Sequence, residues 1–202
     1  MKKLLLGAAA VAISFGVSEA KAEGFYVSGS LGATIPNDSD YVEQGVAVTF
    51  GLETALNAAA AVGYQFNKNI RSEFEISYRE SGLDSATYAG NTVSLDGENK
   101  TWGFLVNGYY DFYSENKLSP YVMAGIGALS HDTSATFAGM TVSGDDVTFG
   151  YQVGAGVSYK ITEAVKIDAN YHYLGSDDIE YSGGASAEYG AHELRAGLRY
   201  SF

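Results

Sequence analysis

The 202-residue chain carries 12 basic and 24 acidic residues, a formal charge of −12, with 25 glycines, 16 tyrosines, 10 phenylalanines and no cysteine. The acidic balance excludes a nucleic-acid partner, because a phosphate backbone needs a basic face. The missing cysteine excludes disulfide staples and lipoprotein processing, and near-neutral mean hydropathy excludes a helical membrane protein.

Lys2 and Lys3 precede an apolar stretch from Leu4 to Val17, followed by Ser18, Glu19 and the triplet Ala20-Lys21-Ala22. A basic start, a short apolar core and a small-x-small triplet form the pattern of an export signal cut after Ala22. The stretch falls short of the ~20 residues of a spanning helix. Residues 1–22 are therefore expected to be a cleaved signal peptide, leaving 23–202 with 9 basic and 23 acidic residues, a charge of −14. No later apolar run approaches a helical span. A chain that crosses a membrane from here on must do so as closed β-structure, since only that or a helix satisfies its own backbone groups.

Beyond residue 22 the sequence alternates in the one-residue step of a strand. Strands are predicted near 24–36, 52–66, 70–82, 99–113, 119–131, 147–161, 165–176 and 189–202. In the third, Ile70, Phe74, Ile76 and Tyr78 alternate with Arg71, Glu73, Glu75, Ser77 and Arg79, with Ser72 the one exception. In the sixth, Phe149, Tyr151, Val153, Ala155, Val157, Tyr159 and Ile161 alternate with Gly150, Gln152, Gly154, Gly156, Ser158 and Lys160. Val165, Ile167, Ala169, Tyr171 and Tyr173 alternate with Lys166, Asp168, Asn170 and His172, and Leu194, Ala196, Leu198 and Tyr200 with Glu193, Arg195, Gly197 and Arg199.

A soluble sandwich alternates too, so three other features decide. The connections alternate between short (67–69, 114–118, 162–164) and long loops (37–51, 83–98, 132–146, 177–188), which is the outer-membrane pattern. Aromatics fall in two bands, as at two membrane interfaces. One holds Phe25, Tyr64, Phe66, Tyr110, Phe112, Tyr121, Tyr159, Tyr200 and Phe202; the other holds Tyr78, Trp102, Phe104, Phe149, Tyr151, Tyr171 and Tyr173. The last strand ends on Phe202, where it is expected to close on the first. The expected fold is all-β: an eight-stranded antiparallel transmembrane up-and-down β-barrel.

Several segments carry a resemblance. They are Gly24-Phe-Tyr-Val-Ser-Gly-Ser-Leu-Gly32, Val62-Gly-Tyr-Gln-Phe-Asn-Lys-Asn-Ile-Arg-Ser-Glu73, Asn107-Gly-Tyr-Tyr-Asp-Phe112, Leu118-Ser-Pro-Tyr-Val-Met-Ala-Gly-Ile-Gly127, Phe149-Gly-Tyr-Gln-Val-Gly-Ala-Gly-Val-Ser-Tyr159 and Gly197-Leu-Arg-Tyr-Ser-Phe202. Over the whole of 23–202 the sequence resembles the small outer-membrane β-barrel family of opacity-type surface proteins and the barrel of outer-membrane protein A. Its motifs are specific for the fold and weak for function, because members share strands and differ in loops. The resemblance implies the outer membrane of a Gram-negative bacterium, with membrane lipid and lipopolysaccharide as neighbours.

The inner faces concentrate charge: Arg71, Glu73, Glu75 and Arg79 on the third strand, Lys166, Asp168 and His172 on the seventh, Glu193, Arg195 and Arg199 on the eighth. Side chains just fill an eight-stranded interior, and buried charges must pair. An ion-pair network plugging the lumen is the first reading of these residues, a narrow ion path the second, a catalytic cluster the third. Small residues at Gly150, Gly154, Gly156, Ala124 and Ala128 are read as room in the lumen for longer neighbours. Gly154-Ala-Gly156 lacks the third glycine and the following helix of a dinucleotide fingerprint.

Ser130-His131-Asp132 cannot form a triad, because strand neighbours point to opposite faces. No cofactor or metal site is expected. The loop carboxylates, Asp38, Asp40, Glu43, Asp84, Asp96, Glu98, Asp145, Asp146, Asp177, Asp178, Glu180 and Glu188, are read as hydration, with weak divalent-cation bridging to lipopolysaccharide as the sharper alternative. The expected function is a non-enzymatic, monomeric surface protein whose loops meet a host or matrix ligand. A narrow channel for ions or small solutes, running past Arg195 and Glu73, is the rival.

Overall fold

The computed structural model describes residues 24–37, 39–43, 46–52, 54–88, 91–113, 115–137, 140–176, 179–181, 185–187 and 190–202. The expected signal peptide lies outside them. The strands are β1 (Gly24–Pro36), β2 (Ser39–Glu43), β3 (Val46–Leu52), β4 (Ala55–Gln65), β5 (Ile70–Tyr88), β6 (Asn91–Asp111), β7 (Leu118–Phe137), β8 (Met140–Lys160), β9 (Val165–Ser176), β10 (Ile179–Tyr181), β11 (Ala185–Ala187) and β12 (Gly190–Ser201).

Eight of these strands form a closed antiparallel ring: β1, β4, β5, β6, β7, β8, β9 and β12 pair in turn, and β12 pairs back onto β1. The closing register runs from Tyr26 opposite Ser201 to Pro36 opposite Ala191, so the terminal strand has no free edge along this length. Phe202 adds a bond from its N–H to the Phe25 carbonyl at 3.1 Å.

The burial pattern is the inverse of a soluble protein. Inward positions are charged and polar, while Leu31, Leu56 and Leu198 on the outside are 70%, 81% and 58% exposed. A continuous apolar outer band of this kind needs hydrocarbon around it. Rings edge it at the short-turn end, where Phe25–Tyr64, Tyr64–Phe66, Tyr110–Phe112 and Tyr200–Phe202 contact edge-on at 5.0–5.2 Å. Tyr78 and Trp102 tilt together at 4.9 Å near the other end.

Three expectations need correction. Segments 83–98 and 132–146 are largely strand: β5 and β6 pair up to Tyr88 opposite Asn91, and β7 and β8 up to Phe137 opposite Met140. They extend the ladder past the membrane band. Their sequence keeps no sustained apolar–polar alternation, so the pattern reads as loop. β3 joins this extension by pairing with β5, and β2 pairs with β3.

Tyr121 belongs to the interior and not to an aromatic band, being 2% exposed. Ala124 and Ala128 face outward, and the small lumen residues of β7 are Gly125 and Gly127. Both errors come from the Leu118–Gly127 stretch, where apolar residues occupy both faces and hide the parity.

Candidate functional site

The strand period carries the predicted charges into one lumen, where they meet in three groups. Nearest the short turns, Arg71 Nε donates to Asp111 Oδ2 at 3.1 Å and its Nη1 to Glu73 Oε1 at 3.0 Å. The Arg71 guanidinium lies 3.6 Å from the Tyr109 ring centroid and 4.9 Å from that of Tyr121. Beside it, Arg199 Nη2 donates to Asp168 Oδ1 at 3.0 Å and to Ser158 Oγ at 2.7 Å.

In the middle, Arg195 Nη1 donates to Glu75 Oε1 at 2.9 Å. The other Glu75 oxygen accepts from Asn107 Nδ2 at 3.0 Å, and Gln152 Nε2 donates to Asn107 Oδ1 at 2.7 Å. Loopward, Glu193 has no exposure. It accepts from Arg79 Nε, from Arg79 Nη2 at 3.3 Å, from Arg195 Nη2 at 2.7 Å and from Thr34 Oγ1 at 3.0 Å. His172 Nε2 lies 2.8 Å from the same carboxylate.

Eight of the ten predicted residues therefore join ion pairs, and His172 meets the Glu193 carboxylate as a ring nitrogen at hydrogen-bond distance. Lys166 is half-buried at the turn end, opposite Arg199 and Lys160 in the ladders. With it, the cations of this interior balance the carboxylates of Glu73, Glu75, Asp111, Asp168 and Glu193. A buried pair gains little over apolar packing, but it strongly resists loss of one partner.

Sequence reasoning missed Asp111, Tyr26, Tyr109 and Tyr121. Tyr26 and Tyr109 stand in the pairs Phe25-Tyr26 and Tyr109-Tyr110, where both faces are aromatic and alternation gives no mark; Tyr121 lies in a stretch apolar on both faces, and Asp111 at a strand end. It also missed an apolar layer on the loopward side: Leu105, Leu129, Leu174 and Ala191 form one cluster, each with no exposure. Small residues make room for the long ones as expected. A Cβ on Gly150 would lie 2.6 Å from Leu129 Cγ, and one on Gly156 would lie 2.5 Å from the Tyr121 ring. A cavity of about 40 Å³ lies among Arg71, Glu75, Tyr109, Tyr121, His172 and Arg195, space for roughly one or two waters.

His131 faces inward, with Thr101 Oγ1 3.0 Å from Nδ1 and Thr148 Oγ1 3.3 Å from Nε2. Asp132 is exposed on the opposite face, so the two do not act together. His192 faces outward and contacts Tyr171.

At the short-turn rim the exposed Lys68 ammonium pairs with Glu115. Its hydrogen bond and charge hold the Glu115 carboxyl below the usual carboxylate range.

A sequence model described as an outer membrane protein beta-barrel domain matches residues 5–202. Outer membrane protein PagN of Salmonella typhimurium is 25% identical over 232 residues, 94% of this chain and 95% of its own. A Rickettsia canadensis protein whose name proposes an adhesin is 24% identical over 224 residues, 99% of each. The crystal structure of Neisserial surface protein A (NspA) superposes with a TM-score of 0.54 at 22% identity, covering 89% of this chain and 97% of that one.

Proposed function

Because the chain belongs to the outer membrane protein β-barrel family, we propose that its barrel is a closed, non-enzymatic anchor and that its work is adhesive contact made by the extracellular hairpins. The protein is an outer-membrane surface protein of a Gram-negative bacterium. Residues 1–22 act as the cleaved export signal and 23–202 as the barrel. N-terminal sequencing of the exported protein should then begin at Glu23, and a start elsewhere refutes that assignment.

One observation carries the adhesive reading. The lumen is filled with paired charges and a leucine cluster, while β5–β6 and β7–β8 run on past the aromatic band. The chain thus extends two hairpins beyond the membrane, and rigid scaffolds commonly carry recognition on such extensions. The Rickettsia canadensis relative, proposed by name as an adhesin, supports this.

The joining segments at this end (37–54, 80–100, 132–149, 177–189) contain fifteen acidic residues and one basic residue, Lys100. Such a surface repels anionic polymers, so the ligand expected is neutral or basic, and binding of a basic one weakens as salt rises.

The test is adherence of bacteria to host matrix with hairpin tips 83–97 and 133–144 shortened singly and together. Binding should fall when the tips are shortened and the folded barrel remains. Unchanged binding by the double variant refutes the adhesive reading. The channel rival needs a wet path past Arg195 and Glu73, and both side chains are instead held in ion pairs.

A further inference from the structure

On the lipid-facing side of β8, β9 and β12, just below the loop end, four rings form a shelf. Tyr151 and Tyr173 lie 6.4 Å apart, Tyr173 and His192 5.3 Å, and His192 stacks on Tyr171 at 5.9 Å and 16°. Two outward glycines make the shelf possible. A Cβ on Gly175 would meet the Tyr151 ring at 2.6 Å, and one on Gly190 the Tyr173 hydroxyl at 2.4 Å.

The Tyr171 hydroxyl lies 2.6 Å from His192 Nδ1. With that hydroxyl donating, the ring proton sits on Nε2, for which no described residue is an acceptor. Directly turnward of the shelf, and sharing Tyr171 with it, runs a shallow apolar groove lined by Leu31, Ala155, Val157, Ala169, Leu194 and Ala196.

The rest of this rim has different chemistry. Around β5–β8 the outward row at the same end is Glu80, Lys100, Asp132 and Asp145, each opposite the next in the ladders. Three carboxylates there disfavour an anionic headgroup. The β8–β12 face offers ring faces, phenolic hydroxyls and an imidazole N–H, with a trough for hydrocarbon beneath. Ring faces stack on sugar C–H surfaces, and the N–H and hydroxyls suit phosphate and sugar oxygens.

We propose that this face holds one lipopolysaccharide molecule of the outer leaflet, its phosphorylated sugar headgroup on the Tyr151–Tyr173–His192–Tyr171 shelf and an acyl chain in the alanine-lined groove. The assignment rests on the orientation adopted above, with the long hairpins outside the cell. It does not depend on what those hairpins bind.

The test uses the folded protein in detergent micelles, titrated separately with bisphosphorylated lipid A, dephosphorylated lipid A and phosphatidylglycerol. Affinity and the His192 imidazole nitrogen resonances are read. Bisphosphorylated lipid A should bind most tightly and move the His192 signals. His192→Ala removes the donor and Ala196→Phe fills the groove, both on the lipid side. Each should weaken binding about tenfold, the scale of one charge-assisted hydrogen bond or one blocked apolar contact. Ile126→Ala, on the outer face of β7, should bind as the unaltered protein does.

Equal binding of lipid A and phosphatidylglycerol overturns the proposal, as does unaltered lipid A binding by both variants. The lipid comparison on the unaltered protein decides even where a variant folds poorly. Adherence of bacteria carrying Ala196→Phe should be unchanged, which separates failure here from failure of the adhesive reading.

Discussion

Glu193 receives two arginines, a threonine hydroxyl and the neighbouring His172 in a space closed to water. Glu193→Gln keeps the shape and removes the charge, leaving Arg79 and Arg195 short of a counterion. Breaking one side of a buried ionic cluster costs about 3–5 kcal/mol. The urea midpoint for loss of the folded, heat-modifiable gel band should drop accordingly; a midpoint within error of the parent would contradict the network reading. At the surface, Glu115 is held below the usual carboxylate range by Lys68. A lowered folded value means stabilisation present above the unfolded value and lost as pH falls through the folded one. Glu115→Gln should therefore flatten the acid limb of the stability curve slightly and leave neutral stability nearly unchanged, as exposed pairs contribute little. The inward charges are legible in the sequence because β5, β9 and β12 alternate charged or polar residues with apolar ones, Ser72 being the one break. Asp111 is not, because it sits at a strand end between Tyr110 and Phe112, where position relative to the turn decides its role.

The elements divide into those that the membrane patterns and those that it does not. Within the band, lipid outside and packing inside force alternation, so the sequence marks each of the eight barrel strands. The second was read as 52–66, whereas the structure divides it between β3, ending at Leu52, and β4, starting at Ala55. Past the band the apolar–polar alternation lapses in the sequence, so 134–137 and 85–88 look like loop although their backbones continue a ladder. The leucine layer was hidden for the opposite reason: Phe104-Leu105-Val106 is apolar on both faces. Its packing is testable by a cycle between β7 and β8. Leu129→Ala should cost about 2–5 kcal/mol through the cavity it leaves. Gly150→Ala should cost about 1–3 kcal/mol by forcing a methyl against Leu129. Combined, the two changes should cost clearly less than the sum, because the new methyl enters the vacated space. Strict additivity in the urea midpoints would show that they do not share the layer.

At the scale of the molecule, charge, packing and topology agree on where function lies. Among the described residues the charges in the lumen cancel, the leucine layer shares the interior with them, and the acidic excess gathers in the segments joining the strands at the loop end. A barrel that conducted would waste this arrangement, since a continuous ion path needs solvated charges and a wet constriction. The measurement that tests the account most directly is single-channel conductance of the refolded protein in planar bilayers, with folding verified by heat-dependent gel mobility. The account predicts a silent bilayer across the usual range of voltage and salt. Steady openings whose ion selectivity changes with Arg195→Ala would contradict it and make the lumen the functional site.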